Sequence, residues 1–306
     1  MTFKITARKI LVAAGAFVIV VLGIWLFAQP PAAKVIMPNP NGYDDFLRAA
    51  SVVRVPDSLS LNNASLADLR QLVAANSNAL HCINIGLTKQ SMVRISTTQE
   101  FITNHINTTL AMRKIAQVMD AAAQIALREA RTNDSAVIVM DLIRFSRESA
   151  RGGLIVERML GVAIERMAIE DLAPCVQGLD RATAAVTLKQ LTELDRNEEP
   201  VSAAMSRDLD WTMVQIAHTP WWYRLQVWAR LTGGPFASDQ NPRVQSALMR
   251  LAAVRQALIL DAATRLYETE HRALPANGEA IWKSLFPTRP LDSTIRSNSI
   301  YWFDRQ

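Results

Sequence analysis

Cysteines, histidines and catalytic motifs are all scarce in this chain of 306 residues. The two cysteines, Cys82 and Cys175, exclude a disulfide-dense scaffold. They could form one bridge in an oxidising compartment, although two separately buried thiols are the simpler interpretation. The sequence has no Gly-x-Ser-x-Gly elbow, no phosphate-binding glycine-rich loop followed by lysine and no Rossmann fingerprint. We therefore predict no catalytic residue, no cofactor and no small-molecule ligand, and we predict that the protein is not an enzyme.

Two weaker signals for chemistry have simpler explanations. The four histidines are too scattered for a zinc site. Glu268-x-x-His271 has the spacing of one ligand pair of a di-iron site, but such a site needs a second pair, which the sequence lacks. We therefore predict no metal site. We expect Glu165, Glu170 and Asp171 on a solvated outward helix face, and not in acid–base work.

Only one hydrophobic run is long enough to cross a bilayer, and it lies at Ile10–Ala28. At about 1.5 Å per residue it covers about 28 Å, close to the thickness of the hydrocarbon core. It is longer than the core of a cleaved signal peptide, and Pro30-Pro31 makes a poor cleavage site. We predict an uncleaved transmembrane signal anchor; the alternatives are a cleaved signal and a buried soluble helix.

The charges around this run predict its orientation. Lys4, Arg8 and Lys9 precede it, whereas Lys34 is the only charge in the dozen residues that follow. The positive-inside rule places residues 1–9 in the cytoplasm and the rest of the chain outside it. For a bacterial protein, we therefore expect a single-pass inner-membrane protein with a periplasmic body.

The net charge gives no indication of nucleic-acid binding. The formal charge is +5, and removing the three N-terminal cations leaves a small excess that is spread along the predicted helices. A nucleic-acid binder concentrates its lysines and arginines on one face. We expect no nucleic-acid partner.

Beyond the span, the sequence is typical of amphipathic helices. Apolar residues from Leu66 to Leu87 fall at steps of three and four, which predicts one helix of about six turns with Asn76 as its one polar inward member. We interpret Asn76 as a buried amide that fixes packing, the alternative being a ligand-facing amide. A helix over Thr98–Arg131 places His105 on its apolar face as a core histidine. The helix after Gly152-Gly153 is expected to carry Glu157, Arg158, Glu165 and Arg166 on its wet side.

The predicted fold is mainly α. It comprises an N-terminal transmembrane helix, an irregular antiparallel helical bundle or α-solenoid-like array, and a small C-terminal helix/β-hairpin element. The expected segments are a cytoplasmic tail (1–9), the anchor (10–28), a Pro-rich spacer (29–41), the helical array (42–232), and a long helix to His271 with the small C-terminal element (241–306).

Aromatic residues cluster late in the array. Trp211, Trp221, Trp222, Tyr223 and Trp228 fall within one short stretch. Large amphipathic rings suit interfaces, so these five residues are a candidate partner-binding or membrane-surface patch. The alternative is aromatic filling of the core where two subdomains meet.

Two parts of the sequence resemble known families. The segment Leu266–Pro275, a short helix near Glu279–Leu285 and Ser299–Phe303 resemble the C-terminal part of type II secretion major pseudopilins, where a long helix is followed by a short helix and a small strand. The span lacks the prepilin leader junction of those proteins, and the long helix does not continue it.

A second resemblance covers more of the chain. Asn41–Leu47, Asn76–Leu87, Arg151–Leu154 with Gly161–Ile164, and Tyr267–Pro275 occur in the same order in a family of single-span, helix-rich bacterial envelope proteins. This resemblance implies topology, and it implies no activity.

Three functional hypotheses follow. The first is a membrane-tethered scaffold or interaction module whose helices bind a protein partner in the envelope. The second is an envelope enzyme, hydrolase-like, whose site assembles from residues distant in sequence; a deep pocket with convergent polar groups would favour it. The third is a pseudopilin-associated secretion component, which depends on the C-terminal resemblance alone.

Overall fold

Helices make up almost all of the regular structure. The computed structural model describes residues 36–56, 59–217, 219–220, 222–223, 226–227, 242–275, 277–291 and 293–300. Its helices are α1 (Gly42–Val52), α2 (Leu66–Ala75), α3 (Ser77–Leu87), α4 (Gln99–Arg128), α5 (Thr132–Glu148), α6 (Ile155–Val176), α7 (Arg181–Arg196), α8 (Val201–Gln215), α9 (Pro242–His271), α10 (Gly278–Leu285) and α11 (Ser293–Asn298). The prediction of a mainly α fold is confirmed.

Two predicted elements differ from this description or fall outside it. The predicted C-terminal β-hairpin is wrong for the part that is described, because residues 293–300 contain helix α11 and no strand. The predicted anchor at Ile10–Ala28 lies outside the described residues. Within the described ranges, no helix has the length and apolarity needed to cross a membrane.

Side-chain caps set several helix starts. Ser65 and Asp68 form a capping box at α2, in which the Ser65 hydroxyl accepts from the Asp68 N–H and Asp68 accepts from the Ser65 N–H. Thr98 caps α4 by accepting from the Phe101 N–H, and Asp180 caps α7 by accepting from the Thr183 N–H.

The predicted single helix from Leu66 to Leu87 is in fact two helices that meet at Asn76. The Asn76 side chain is 1% exposed, and its amide nitrogen donates to the Arg54 and Leu72 carbonyls at 2.8 and 2.9 Å. Its amide oxygen accepts from the Arg54 N–H at 2.7 Å. The side chain thus pairs with an extended backbone segment after α1, and its backbone leaves the helical region (φ −113°, ψ 18°). The prediction of a buried amide that fixes packing is confirmed.

Close helix approaches depend on glycine at two contacts. A Cβ on Gly42 of α1 would lie 2.5 Å from the Gly86 carbonyl oxygen of α3. A Cβ on Gly161 of α6 would lie 2.7 Å from the Ser146 carbonyl oxygen of α5. Real Cβ atoms do not approach backbone this closely, so both helix pairs need a residue without a side chain there.

Helix α6 lies at the centre of the body. It packs against α4, α5, α8 and α9. A helix enclosed on several sides has no broad solvated face, so its charged side chains must find partners inside the protein. The prediction that Glu157, Arg158 and Glu165 lie on a wet side is therefore wrong: these three residues are between 0% and 5% exposed.

A buried ion network joins α6 to its neighbours. Arg255 of α9 is 1% exposed; its Nη1 donates to Glu165 of α6 at 2.8 Å and its Nε donates to Asp195 of α7 at 3.1 Å. Arg147 of α5 donates to the same Glu165 carboxylate at 2.8 Å, and Arg289, after α10, donates to Asp195 at 2.6 Å. The cations hold the pKa of both Glu165 and Asp195 below the ordinary range despite their burial.

The late helix α9 belongs to the same core as the earlier helices. Leu251 and Leu258 of α9 and Trp282 of α10 are buried in one hydrophobic cluster with Phe46 of α1 and Phe145 of α5. The segments predicted as 42–232 and 241–306 therefore both contribute to one core.

Removing Arg255 should destabilise the body strongly. In Arg255→Met, the Glu165 carboxylate keeps only Arg147, and the loss of one partner from a buried ion network costs about 3–5 kcal/mol. The free energy of unfolding of the full-length chain, measured by urea titration followed by circular dichroism, should fall by that amount. Arg166→Met is the matched control, because Arg166 is exposed and pairs with Glu170 on its own helix, a contact worth about 0.3–0.5 kcal/mol. Equal losses in the two variants would contradict the importance of the network.

Candidate functional site

A charged groove of about 610 Å³ lies between the α5–α6 turn and the end of α7. The described residues that line it are Arg144, Arg147, Glu148, Ala150, Arg151, Arg158, Gln190, Glu193, Leu194, Asn197 and Glu199. None of them is a serine, threonine, cysteine or histidine, so this described lining offers no hydroxyl or thiol nucleophile and no histidine for acid–base catalysis.

The arginines of the charged groove already hold carboxylates. Arg144 pairs with Asp141, Arg147 with Glu165, Arg151 with Glu148 and Arg158 with Glu198. Their positive charges are therefore largely compensated inside the chain, and an added anion would compete with existing partners. The groove fits a structural role better than the binding of an anionic substrate.

A second charged cluster brings together three helices at the start of α6. The His105 Nε2 of α4 lies 2.9 Å from the Glu157 Oε1 of α6, although the angles do not make this contact a hydrogen bond. The other Glu157 oxygen accepts from the Leu154 N–H at 2.9 Å, and Asp208 of α8 accepts from the Ile155 N–H. Burial raises the pKa of Glu157 to about 7, and burial lowers the pKa of His105.

This cluster is a packing contact more than a reaction site. His105 packs against the Phe101 ring at 4.9 Å between centroids, and neither His105, Glu157 nor Asp208 lines the charged groove. The prediction of His105 as a core histidine fits its half-buried position. The cluster joins α4, α6 and α8 without opening to a space for a substrate.

Asp171, predicted on a solvated face, instead forms a carboxyl pair with Asp120 of α4. Asp120 is buried, and its two oxygens accept from the Gln124 amide at 3.1 and 3.2 Å. Burial and a hydrogen bond between the two carboxyl groups raise the pKa of Asp171 to about 8, and burial also raises the pKa of Asp120. The pair therefore shares a proton at neutral pH, and Glu170 is the one carboxylate of the predicted three that is exposed.

A second groove differs from the charged groove because most of its lining is apolar. A groove of about 610 Å³ lies between the end of α1 and the middle of α4. We call it the α1–α4 groove; its described lining is Ala50, Val53, Val55, Pro56, Leu59, Asn107, Leu110, Ala111, Arg113, Lys114 and Gln117. Leu110 of the lining is 52% exposed, and Ile106, one turn before it on the same side of α4, is 67% exposed. Exposed apolar residues that adjoin a groove are typical of interaction sites.

The predicted aromatic patch is only partly described. Trp222 and Tyr223 are 52% and 42% exposed and meet edge to face with 6.1 Å between centroids. Trp211 is half-buried, and its indole N–H donates to the Ser96 carbonyl at 2.9 Å, which ties α8 to the segment before α4. Trp221 and Trp228 lie outside the described residues.

The other residues weighed for chemistry have structural partners. Cys82 and Cys175 are both free thiols, and burial raises the pKa of Cys175. Glu268 pairs with Arg265 at 3.0 Å, and His271 stacks on Tyr267 with 4.0 Å between centroids. Within the described residues, no group of three potential metal ligands occurs.

Sequence reasoning missed the α1–α4 groove. A signal was available, because Ile106 and Leu110 are four residues apart and therefore share one side of α4. That side lies opposite the buried stripe through Met112, Ile115 and Met119. Large apolar residues on the outward face of an amphipathic helix are left in contact with water, and on α4 these two residues lie at or next to the groove.

Comparison with known proteins identifies no relative. Neither a family model, nor a curated protein, nor a solved structure matches the chain. The resemblances to pseudopilins and to single-span envelope proteins therefore stay predictions.

The carboxyl pair predicts a dependence of stability on pH. The pKa of Asp171 is about 8 in the folded state and about 3.8 when unfolded, so the folded state binds the extra proton between these values. Its stabilising contribution is complete below the unfolded pKa, declines as the pH rises, and is lost above the folded pKa. Asp171→Asn, which cannot ionise, should therefore unfold at a higher temperature than wild type at about pH 9, and the difference should shrink towards about pH 5.

The matched control for this variant is Glu170→Gln, on the exposed neighbour. Thermal unfolding of the full-length chain across this pH range should show the wild-type pH dependence in the control. An Asp171→Asn curve parallel to the wild-type curve would show that the carboxyl pair does not hold the extra proton.

Proposed function

We propose that this chain is a membrane-anchored bacterial envelope protein whose periplasmic helical body binds a protein partner through the α1–α4 groove. The anchor is the apolar run at Ile10–Ala28, and the charges before it favour a cytoplasmic amino terminus. The body is the interaction module. The function is therefore tethering and assembly, and not catalysis.

The exposed apolar rim of the α1–α4 groove is the observation that carries this proposal. Leu110 of the lining and Ile106, one turn before it on the same side of α4, are both more than half exposed in the body. Burying a side chain of this size is worth about 1.5–3 kcal/mol, so a partner that covers the rim gains a useful part of its affinity there. Trp222 and Tyr223 offer a further exposed aromatic pair.

The alternative of an envelope hydrolase is less well supported. The charged groove has the size of a ligand site, but its arginines are paired with carboxylates and its described lining has no hydroxyl or thiol nucleophile. The acid–histidine cluster at the start of α6 adjoins none of the described grooves. Neither place combines a cavity with a reactive group.

The proposed topology predicts a specific fractionation result. The full-length chain should remain in bacterial membranes after carbonate washing, and protease added to spheroplasts should digest the body. Replacing three leucines, valines or isoleucines of Ile10–Ala28 by arginine should release the protein from the membrane or abolish its export, since each central arginine costs about 2.5–3.5 kcal/mol on insertion. If the body resists protease in spheroplasts and is digested only after the cells are lysed, the periplasmic orientation is wrong.

The proposed partner surface predicts a site-specific cross-link. A photo-crosslinking amino acid at Leu110 should give a discrete high-molecular-weight product in intact cells, because this exposed side chain would lie against the partner. The same amino acid at Met249, an exposed apolar residue of α9 that lines none of the described grooves, is the matched control and should give no such product. Products of equal intensity at both positions, or none at Leu110, would count against the groove as a partner surface.

A further inference from the structure

The sequence from Trp211 to Tyr223 carries no charge and is rich in tryptophan. It reads WTMVQIAHTPWWY between Asp210 and Arg224, without an aspartate, glutamate, lysine or arginine, and it holds three of the seven tryptophans of the chain. Tryptophan and tyrosine are enriched at membrane–water interfaces, because each ring is apolar and bears one polar group. A stretch without charges also has no ion to dehydrate when it meets lipid. This composition is typical of a segment at a lipid surface.

The aromatic pair at the end of this stretch, Trp222 and Tyr223, is exposed and not part of the core. The two side chains are 52% and 42% exposed. Val214, in the last turn of α8, is 47% exposed, and Ala204 is the buried residue of that fully described helix. The aromatic pair lines none of the described grooves. Anchor residues of protein interfaces fill well-packed pockets, so two rings outside the described grooves fit a flat lipid surface better.

A short backbone segment, residues 92–96, links the start of the body to the end of α8. At one end of it, Asn41 donates to the Met92 carbonyl at 2.8 Å and accepts from the Met92 N–H at 3.0 Å. At the other end, the Trp211 indole N–H donates to the Ser96 carbonyl at 2.9 Å. Four residue steps span at most about 14 Å. The point at which the body joins the spacer is therefore held near the helix that leads to the aromatic pair.

The spacer limits how far the body can move from a membrane anchor at Ile10–Ala28. Residues 29–41 are 13 in number, and a fully extended chain of that length reaches about 45 Å. A surface on such a short tether meets its target at an effective concentration in about the millimolar range. Two rings with modest affinity for lipid would therefore stay on the bilayer, whereas a soluble protein partner would gain nothing from the tether.

We propose that the aromatic pair lies in the headgroup region of the periplasmic leaflet and so orients the helical body on the membrane. This inference rests on the proposed function, since it requires both the anchor and the periplasmic body. A protein that covers the same two rings is the competing occupant, and the experiment separates it from lipid.

The test is photo-crosslinking from the aromatic pair to lipid. A photoreactive phenylalanine analogue replaces Tyr223 in the full-length chain, which is reconstituted into vesicles of phosphatidylethanolamine and phosphatidylglycerol. Mass spectrometry should detect lipid adducts after illumination. The same analogue at Met249, an exposed apolar residue of α9, is the matched control, and its adduct yield should be at least about tenfold lower, because the tether favours only a surface with affinity for lipid.

A second comparison tests whether the neighbouring ring contributes to the contact. With the analogue at Tyr223, Trp222→Ser should lower the lipid-adduct yield at least about threefold, because half of the aromatic pair is lost. Val137→Ser, which removes an equally exposed apolar side chain of α5, is the matched control and should leave the yield unchanged. Circular dichroism checks that both variants are folded. An unchanged yield in Trp222→Ser would contradict a lipid contact through the pair.

Two further results would overturn the inference. The first is a lipid-adduct yield at Tyr223 no higher than at Met249. The second is a discrete protein cross-link from Tyr223 in intact cells in place of lipid adducts, which would make the aromatic pair a protein-binding surface. If the chain still resists carbonate extraction, either result rejects the lipid contact alone. A chain that carbonate extracts from the membrane would reject the proposed function, and this inference with it.

Discussion

The buried guanidinium of Arg255 is the interaction on which most of this structure depends. It binds carboxylates from α6 and α7 and from the segment that follows α7, and those carboxylates also hold Arg147 and Arg289. A charge this deep is tolerated only when its partners are fixed in place, so the network specifies one relative placement of α5, α6, α7 and α9. Hydrophobic packing alone would leave such neighbouring helices freer to slide along one another.

The polar contacts made by two asparagines extend the same principle to the first helices. Asn76 pairs through its amide with the backbone of Arg54, and Asn41 pairs in the same way with the backbone of Met92, to which it donates at 2.8 Å and from which it accepts at 3.0 Å. Each amide replaces a backbone partner that an extended segment would otherwise lack. The segments that join the helices are thus held as firmly as the helices themselves.

Sequence periodicity predicts the helices of this fold better than their surroundings. The helices at 98–131, 241–271 and 279–285 end within a few residues of their expected positions, because amphipathic spacing is a local property. The break at Asn76 was missed because its cause is a contact with Arg54, which is distant in sequence. Glu165 and Asp171 were placed in water because one helix face cannot reveal that α6 is enclosed on several sides. Ile106 and Leu110 are not predicted as a site, because amphipathic spacing indicates only which face of α4 is buried.

The two kinds of departure from amphipathic order have opposite consequences. On α6 the charged residues Glu157, Arg158 and Glu165 point inward, and both buried acids have a polar partner within the chain. On α4 the apolar residues Ile106 and Leu110 point outward, and their exposed surface has no cover among the described residues. An inward charge that is compensated explains itself through stability, because its loss would unfold the body. An outward apolar row beside a groove adds little to the stability of the isolated body, and the partner surface proposed above would give it a role.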